Sequence, residues 1–584
     1  MNLFATIFKT ESATISNAST NTNANLALNS DTDVYFASQK IAEPITQIAP
    51  PPASANRKLP TPVKIERLAN FLVGYDEATV AYLINGFTEG FSLECKGMVN
   101  TKEPKNLKSA YLNPTVVDAK LAKELALGRI IGPFDAPPFE NMCISPIGLQ
   151  VKKSGDFRLI THLSHPKGSS VNDAIPRDFA SVKYATLGEA ITLVKRSGRF
   201  SYLAKTDIKS AFRIIPIRPA DHRLLGIKWR GKYFVDVMLP MGASSSCRVF
   251  ETFSTAVEWI ARNKLGIPSI LHILDDYLIV NNSKSNCFKQ LQIFKQFCEY
   301  CGIPLAEDKT VGPEQVMPFA GIELDSIRMR ACLPQDKLDK CNAAIRTALG
   351  KIRINLKEIQ ELAGLLNFCC VVVYPGRPFI RRLYNLSIGL RSRYSTIAMS
   401  EETKADLKMW LSFLANFNGK DFFMTDEWVA AEALNLHSDA AMTKGFGATL
   451  GKEWIMGAWP DSLGGVDITT LEFYPIIISL ITWGPKLRNL NLNINTDNEA
   501  LVSIINAQTV KGNEVCLKLL RLFVLTCLKY NIYVRAFHIR GVDNSICDAL
   551  SRLQVGRFRS LAPGMNLLPI PIPHHLSPEI LLRT

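Results

Sequence analysis

No stretch of this 584-residue sequence approaches the roughly 20 consecutive apolar residues that cross a bilayer, so no integral membrane helix is expected. The N-terminus lacks the basic start and apolar core of a secretory signal peptide. The 13 cysteines are scattered, without the spacing of a disulfide framework, which points to a reducing compartment. The single C-x-x-C, Cys298 and Cys301, has no second Cys or His pair at zinc spacing nearby. It reads as packing at a helix end. These absences predict an intracellular protein, cytoplasmic or nuclear, neither secreted nor membrane-bound.

What is present is a globular composition with a basic surplus. The hydrophobic share of 47% is enough for a sizeable core, and the length allows roughly three to five domains. Lys plus Arg exceeds Asp plus Glu by 67 − 53 = 14. A pI near 9.1 suits a polyanionic partner such as nucleic acid.

The stretch 268–281 organises the rest. It places Asp275 and Asp276 between two runs of β-formers, Ile270–Leu274 and Tyr277–Val280, which predicts a tight turn between two short buried strands. Two unit charges about 4 Å apart repel by roughly 4 kcal/mol at an effective dielectric of about 20. A hard divalent cation offsets such repulsion, whereas a solvated Asp-Asp turn avoids it.

The remaining acids recur in the same setting. Asp207 ends the predicted strand Phe200–Asp207. Leu224–Trp229 and Tyr233–Met238 read as a hairpin, and 244–262 as a helix with one buried face. Further on, Asp439 and Asp497 end predicted strands. Glu472 opens an apolar helix, and Asp548 follows the strand Val534–His538. A strand-end Asp is usually a turn-former or helix cap. Seven such acids in two ordered sets point instead to phosphoryl-transfer sites, where carboxylates converge from several elements.

The expected organisation is an Asn/Thr/Ser/Ala-rich disordered tail over 1–60 and a helical lead-in over 61–128, followed by strand-rich chain. Asn355 and Glu358 form a candidate capping box. Lys152, Lys153 and Arg158 flank a Ser-Gly turn, where basic groups suit phosphates. The Pro-rich, basic end over 556–584 has no core pattern of its own.

The ordered blocks Lys205–Phe212, Leu239–Gly242, Ile273–Asp276, Gly302…Lys309 and Phe319…Gly321 resemble those of a reverse transcriptase. Asp439, Glu472, Asp497 and the run His538…Asn544…Asp548 resemble a type I RNase H. The blocks Gly128–Phe139, Ser145–Gly148, Phe157–Pro166, Gly168–Asp173 and Gly364…Arg382 are similar to those of DIRS-type, tyrosine-recombinase retrotransposons.

The resemblance implies an α+β multidomain chain. Fingers and palm would occupy 129–332, a thumb 333–395, a connection 396–432 and an RNase H-like α/β domain 433–555. The implied function is RNA-directed DNA polymerisation with RNase H activity, by two-metal phosphoryl transfer. By resemblance, Asp207, Asp275 and Asp276 would hold two Mg2+ ions, with Mn2+ as a substitute. Phe212 would lie under the sugar of the incoming nucleotide. Lys153 and Arg158 would bind its triphosphate, and Lys309 would lie near the leaving pyrophosphate. Asp439, Glu472, Asp497 and Asp548 would hold a second pair of Mg2+ ions, with His538 aiding product release. Implied partners are RNA template, DNA primer, RNA–DNA hybrid and dNTPs, and a tyrosine recombinase encoded by the same element, with no membrane.

Two departures favour a rival reading, a decayed or host-adopted copy that binds nucleic acid without catalysis. Ile273 stands where the family usually has Tyr, and Pro475 lies close behind Glu472. Met241 stands where retroviral relatives have Gln. A gypsy-like element is a further alternative, but no Asp-Thr-Gly or Asp-Ser-Gly protease signature, zinc knuckle or integrase accompanies these blocks.

Overall fold

The computed structural model describes residues 59–97, 99–152, 155–421 and 428–582. The disordered tail expected over 1–60 lies, up to residue 58, outside the described residues, as does Lys153. All described residues belong to one compact unit, Ala55–Thr584, of mixed α and β structure. The α+β multidomain class expected from the sequence is the class observed.

Strands in chain order begin with β1 (Ile130–Phe134), β2 (Ile147–Val151), β3 (Phe157–Thr161) and β4 (Tyr202–Asp207). Next come β5 (Gly226–Trp229), β6 (Lys232–Asp236), β7 (Ile270–Ile273), β8 (Asp276–Asn281) and β9 (Val311–Glu314). The central sheet runs β7-β8-β4-β9, all antiparallel. Strand β8 is buried on both faces, and alternate side chains leave in opposite directions, as strand periodicity requires. Tyr277 and Ile279 join a core with Phe250, Phe253, Val257 and Phe294. Leu278 and Val280 join a second core with Ala190, Val194, Met317 and Phe319. The helices Ser246–Asn263 and Lys284–Tyr300 supply the first core. Cys298 and Cys301 are free thiols buried within it, as their spacing predicts.

The lead-in is helical, with helices Ile65–Phe71, Glu77–Glu89, Lys108–Leu112 and Pro114–Ala126. It is not a separate body. Leu68, Leu83, Phe87 and Phe91 enter the first core, where the Phe87 ring lies 5.1 Å from Phe91 and 5.4 Å from Phe253. One close backbone approach fixes this docking. Lys64 N–H donates to Cys301 O at 2.8 Å. Gly302 then turns with φ +72°, and a Cβ there would meet Pro62 O at 2.1 Å. Gly302→Ala is therefore expected to cost about 2–4 kcal/mol, combining left-handed strain with a backbone clash. Denaturant unfolding checks this; a loss below about 1 kcal/mol would show that the lead-in shifts freely.

Beyond β9 the chain forms β10 (Val316–Phe319), β11 (Ile322–Asp325) and β12 (Arg330–Cys332). The segment 302–310 holds an isolated bridge from Leu305 to Ile208 and a short 3-10 turn, Glu307–Lys309. A helical region follows, with β13 (Arg353–Asn355) paired to β14 (Thr396–Ala398). The capping box exists as expected: Asn355 accepts from Glu358 N–H at 3.0 Å, and Glu358 accepts from Asn355 N–H at 3.2 Å. Strand β15 (Lys420–Asp421) returns to pair with β12.

The last part holds β16 (His437–Ala440), β17 (Gly445–Leu450) and β18 (Glu453–Ala458) in one antiparallel sheet. β19 (Asn491–Thr496) pairs with β20 (Tyr533–His538) in parallel. The apolar helix Ile468–Trp483 is nearly all buried. Pro475 lies in its interior, not its first turn, because the helix starts at Ile468 under an Asp467 cap.

The end of the chain departs from expectation. Val555–Leu561 is a helix, and Phe558 is fully buried against the Trp454 ring, 4.9 Å away. Tyr474 OH donates to Leu576 O at 2.7 Å, and Leu581 and Leu582 are buried. These contacts come from isolated apolar residues filling separate holes, so no helix or strand period betrays them. Among the described residues, no helix is long and apolar enough to cross a membrane.

Candidate active site

The central sheet delivers three acids to one end. Asp207 closes β4 and Asp276 opens β8, and the two are direct cross-strand partners. Asp275 sits in the turn between β7 and β8, where Leu274 adopts φ +55° to reverse the chain within two residues. Ile208 N–H donates to Asp275 O at 3.0 Å, so the turn is tied to the end of β4. Burial comes first and the charge of Asp207 second in raising the Asp275 and Asp276 carboxyls above their ordinary value. Lys309 Nζ donates to Asp207 Oδ2 at 2.7 Å. Burial alone would lower the Lys309 ammonium, but the bond to Asp207 and the charges of all three acids outweigh it and raise it.

Phe212 lies on a 3-10 turn, Ala211–Ile214, just past Asp207. Its half-buried ring packs against Phe250 at 5.2 Å. Sequence reading missed what anchors this turn. Arg213 donates to Asp236 at 2.7 and 2.8 Å and to Glu124 at 2.9 and 3.2 Å, all partly buried. Partners this far apart in sequence leave no local signal. Arg158 is exposed on β3, and in the same hairpin Lys152 pairs with Asp156 at 3.1 Å. Met241 is 53% exposed beside Gly242, where a Cβ would meet Thr161 O at 2.9 Å. The Leu239–Gly242 block therefore packs on the end of β3.

The second set also converges. Asp439 lies on β16 and its Oδ2 accepts from Ser551 Oγ. Burial first, then Asp497 and Asp548, pushes its carboxyl up to about 6 against that bond. Glu472, on the helix Ile468–Trp483, is pushed up to about 7 by burial and by Asp497 and Asp439. Asn498 and Thr496 counter that rise, while its buried Oε2 has no hydrogen-bond partner among the described residues. Asp497 follows β19, and Gly541 passes so close that a Cβ would lie 3.0 Å from Asp497 Oδ2. Asp548 is gripped by Arg552 and Arg557, each at 2.6 Å. Burial opposes them, but the two guanidinium bonds hold its carboxyl below the ordinary value. Asn544 donates to Ser438 O at 2.9 Å and so ties the Asp548 helix to β16. His538 ends β20, exposed, in register with Thr496.

Among the described residues, no three His, Cys, Asp or Glu side chains are grouped so as to clasp a metal ion as placed. Asp207 turns to Lys309, and Asp548 to its two arginines. The acids of each set offer only carboxylate oxygens, the chemistry that hard divalent cations take.

Residues 151–324 match the family described as reverse transcriptase (RNA-dependent DNA polymerase). Among solved structures, the chain aligns with the foamy viral protease-reverse transcriptase in complex with dsDNA over 84% of its length and 99% of that chain. The identity there is 16% and the TM-score 0.47. A "dRH" form of that foamy viral enzyme, in complex with ds DNA, aligns over 84% of each chain at 15% identity and TM-score 0.47. The segment that brings Asp207 beside Asp275 and Asp276 thus lies within the residues that match the reverse transcriptase family.

Proposed function

We propose that this chain is an RNA-directed DNA polymerase with RNase H activity, encoded by a DIRS-type retrotransposon. The observation that carries the reading is the cross-strand placement of Asp207 against the Asp275–Asp276 turn within the matched domain. The blocks around 145–173 and 364–382 support the DIRS-type assignment by resemblance. The domain limits proposed are fingers and palm over 129–332, thumb 333–395, connection 396–432 and RNase H-like domain 433–555. The partners proposed are RNA template, DNA primer, dNTPs and the RNA–DNA hybrid, in keeping with the net charge of +14.

The acids suit Mg2+, since the half-buried carboxyls at the polymerase site repel one another and offer only hard oxygens. Asp207, Asp275 and Asp276 would hold one pair of ions, and Asp439, Glu472, Asp497 and Asp548 another. The orphaned Oε2 of Glu472 is the kind of buried acceptor that such an ion satisfies. Bound divalent ions neutralise charge on the attacking and leaving oxygens of phosphoryl transfer. The chain's own residues do the rest. The β7–β8 turn and the end of β4 hold the acids on rigid strands. Lys309 brings a cation to the same edge for the departing pyrophosphate. Arg158, exposed on β3, would meet the triphosphate, and by resemblance Lys153 would too. His538 stands at the rim of the second site for product release.

Primer extension on an RNA template with Mg2+ tests the reading, and a wild-type chain that extends no primer would overturn it. Phe212 makes a second, sharper expectation. Its ring, braced by Phe250, would close the space that a ribose 2′-OH needs. Phe212→Ala should lower the kcat/KM preference for dNTP over rNTP by about 10- to 100-fold, or ~1.4–3 kcal/mol. An unchanged preference would remove Phe212 from the nucleotide pocket, whatever the effect on stability.

A further inference from the structure

Beneath the polymerase acids lies a buried charged cluster that the catalytic reading does not use. His272 is on β7, three residues before Asp275, and is 4% exposed. Its Nδ1 lies 2.5 Å from Glu258 Oε2, and the same oxygen accepts the His272 backbone N–H at 2.9 Å. On the other side of the ring, Nε2 lies 3.3 Å from Glu251 Oε1, an ion-pair contact without hydrogen-bond alignment. The Tyr277 ring, directly after Asp276, stacks on the imidazole at 5.4 Å and 25°. Its hydroxyl donates to Ser254 O at 3.2 Å.

All of these grips come from the helix Ser246–Asn263. Glu251, Ser254, Glu258 and Arg262 fall at intervals of three or four residues, on one face. Arg262 adds a 2.8 Å pair with Glu258 and donates to Ile270 O at 2.6 Å. One helix face thus holds both strands of the hairpin that carries Asp275 and Asp276. A neutral imidazole has one donor and one acceptor nitrogen, so one nitrogen would turn a lone pair toward a carboxylate. An imidazolium has a donor for each.

We propose that His272, held as an imidazolium between Glu251 and Glu258, is a positioning residue that sets the Asp275–Asp276 turn for polymerisation. The inference rests on the polymerase reading for its functional consequence. Burial alone would lower the His272 ring, but Glu251 and Glu258 overcome it and raise it to about 9. The other titratable or charged groups around the cluster include Arg262 on the same helix, Tyr277 on β8, Cys298 beside Tyr277, Tyr184 with Cys247 beside Glu251, Tyr75 facing Glu258, and Glu189 facing Arg262.

Two measurements test the proposal. The first needs neither metal nor turnover. In 15N-histidine spectra of the full chain, the signal missing from His272→Gln should show both ring nitrogens protonated at pH 8. A neutral ring at pH 7 would overturn the proposal. In Glu251→Gln, which keeps an acceptor but removes a charge, the same signal should titrate about one pH unit lower. The second measurement is primer extension against Mg2+ concentration. His272→Gln should raise the half-saturating Mg2+ about 5- to 10-fold, with the KM for dNTP within about 2-fold of wild type. An unchanged Mg2+ dependence, or a loss of extension explained by an equal loss of folded protein, would overturn the positioning role. Should the wild-type chain extend no primer, the polymerase reading fails. The spectra still decide whether the imidazolium clamp exists.

Discussion

Asp275→Asn is expected to lower primer extension on an RNA template at least about 10^3-fold while leaving the chain as stable as wild type, or more so. The activity loss follows from removing one of three oxygen-donor carboxylates at the end of the central sheet. An amide carries no charge to hold a cation, and a 10^3-fold loss corresponds to about 4 kcal/mol of transition-state stabilisation. The stability gain follows from the electrostatics. Burial and the neighbouring Asp207 raise the Asp275 carboxyl above its ordinary value. A carboxyl that ionises less readily in the fold than in the unfolded chain costs stability at neutral pH. That cost vanishes only as pH falls below the unfolded value. Asn keeps the shape without the charge, so thermal unfolding in metal-free buffer should occur at an equal or higher temperature. A purely structural Asp275, capping its own turn, predicts the reverse: lower stability and activity lost only in proportion. Wild-type levels of extension by this variant would remove Asp275 from the polymerase centre.

The strand ends that carry Asp207, Asp275 and Asp276 were the most legible part of the molecule in sequence. These acids sit where continuous apolar runs stop, and such runs become strands because a sheet buried on both faces needs apolar residues on both sides. Tyr277 through Val280 report this directly, sending side chains alternately into two cores. Asn355 and Glu358 were legible for a different reason, since a capping box is wholly local. What the sequence concealed is tertiary. The Arg213 network joins Glu124 and Asp236, and the His272 clamp joins a strand to a helix. No spacing rule connects such partners. The chain's end was misread for a related reason: Phe558, Leu576 and Leu581 are buried one at a time against other elements, without a period of their own. Gly302, which turns to meet Pro62, likewise answers to a contact far away in sequence.

Glu472→Gln should abolish hydrolysis of the RNA strand of an RNA–DNA hybrid, by at least about 10^3-fold, and leave primer extension within about 2-fold of wild type. The two activities separate because Glu472 belongs to the acids of the last domain alone. Burial, Asp497 and Asp439 push its carboxyl up to about 7. Its buried Oε2 has no donor to satisfy it among the described residues. An ionised carboxylate in that position is costly unless something cationic offsets it, whereas a glutamine of nearly equal volume carries no charge to offset. The substitution is thus expected to be silent for the fold and to remove a charged oxygen donor from the chemistry. Pro475 does not alter this. It sits inside a helix that continues to Trp483, and Ser479 Oγ donates to the Pro475 carbonyl at 2.7 Å, so the turn after Glu472 stays ordered. The experiment follows end-labelled RNA in a hybrid beside extension of an unlabelled primer by the same protein. Cleavage within about tenfold of wild type would place the hydrolytic centre elsewhere. Loss of both activities together would mean that Glu472 holds the fold rather than the reaction.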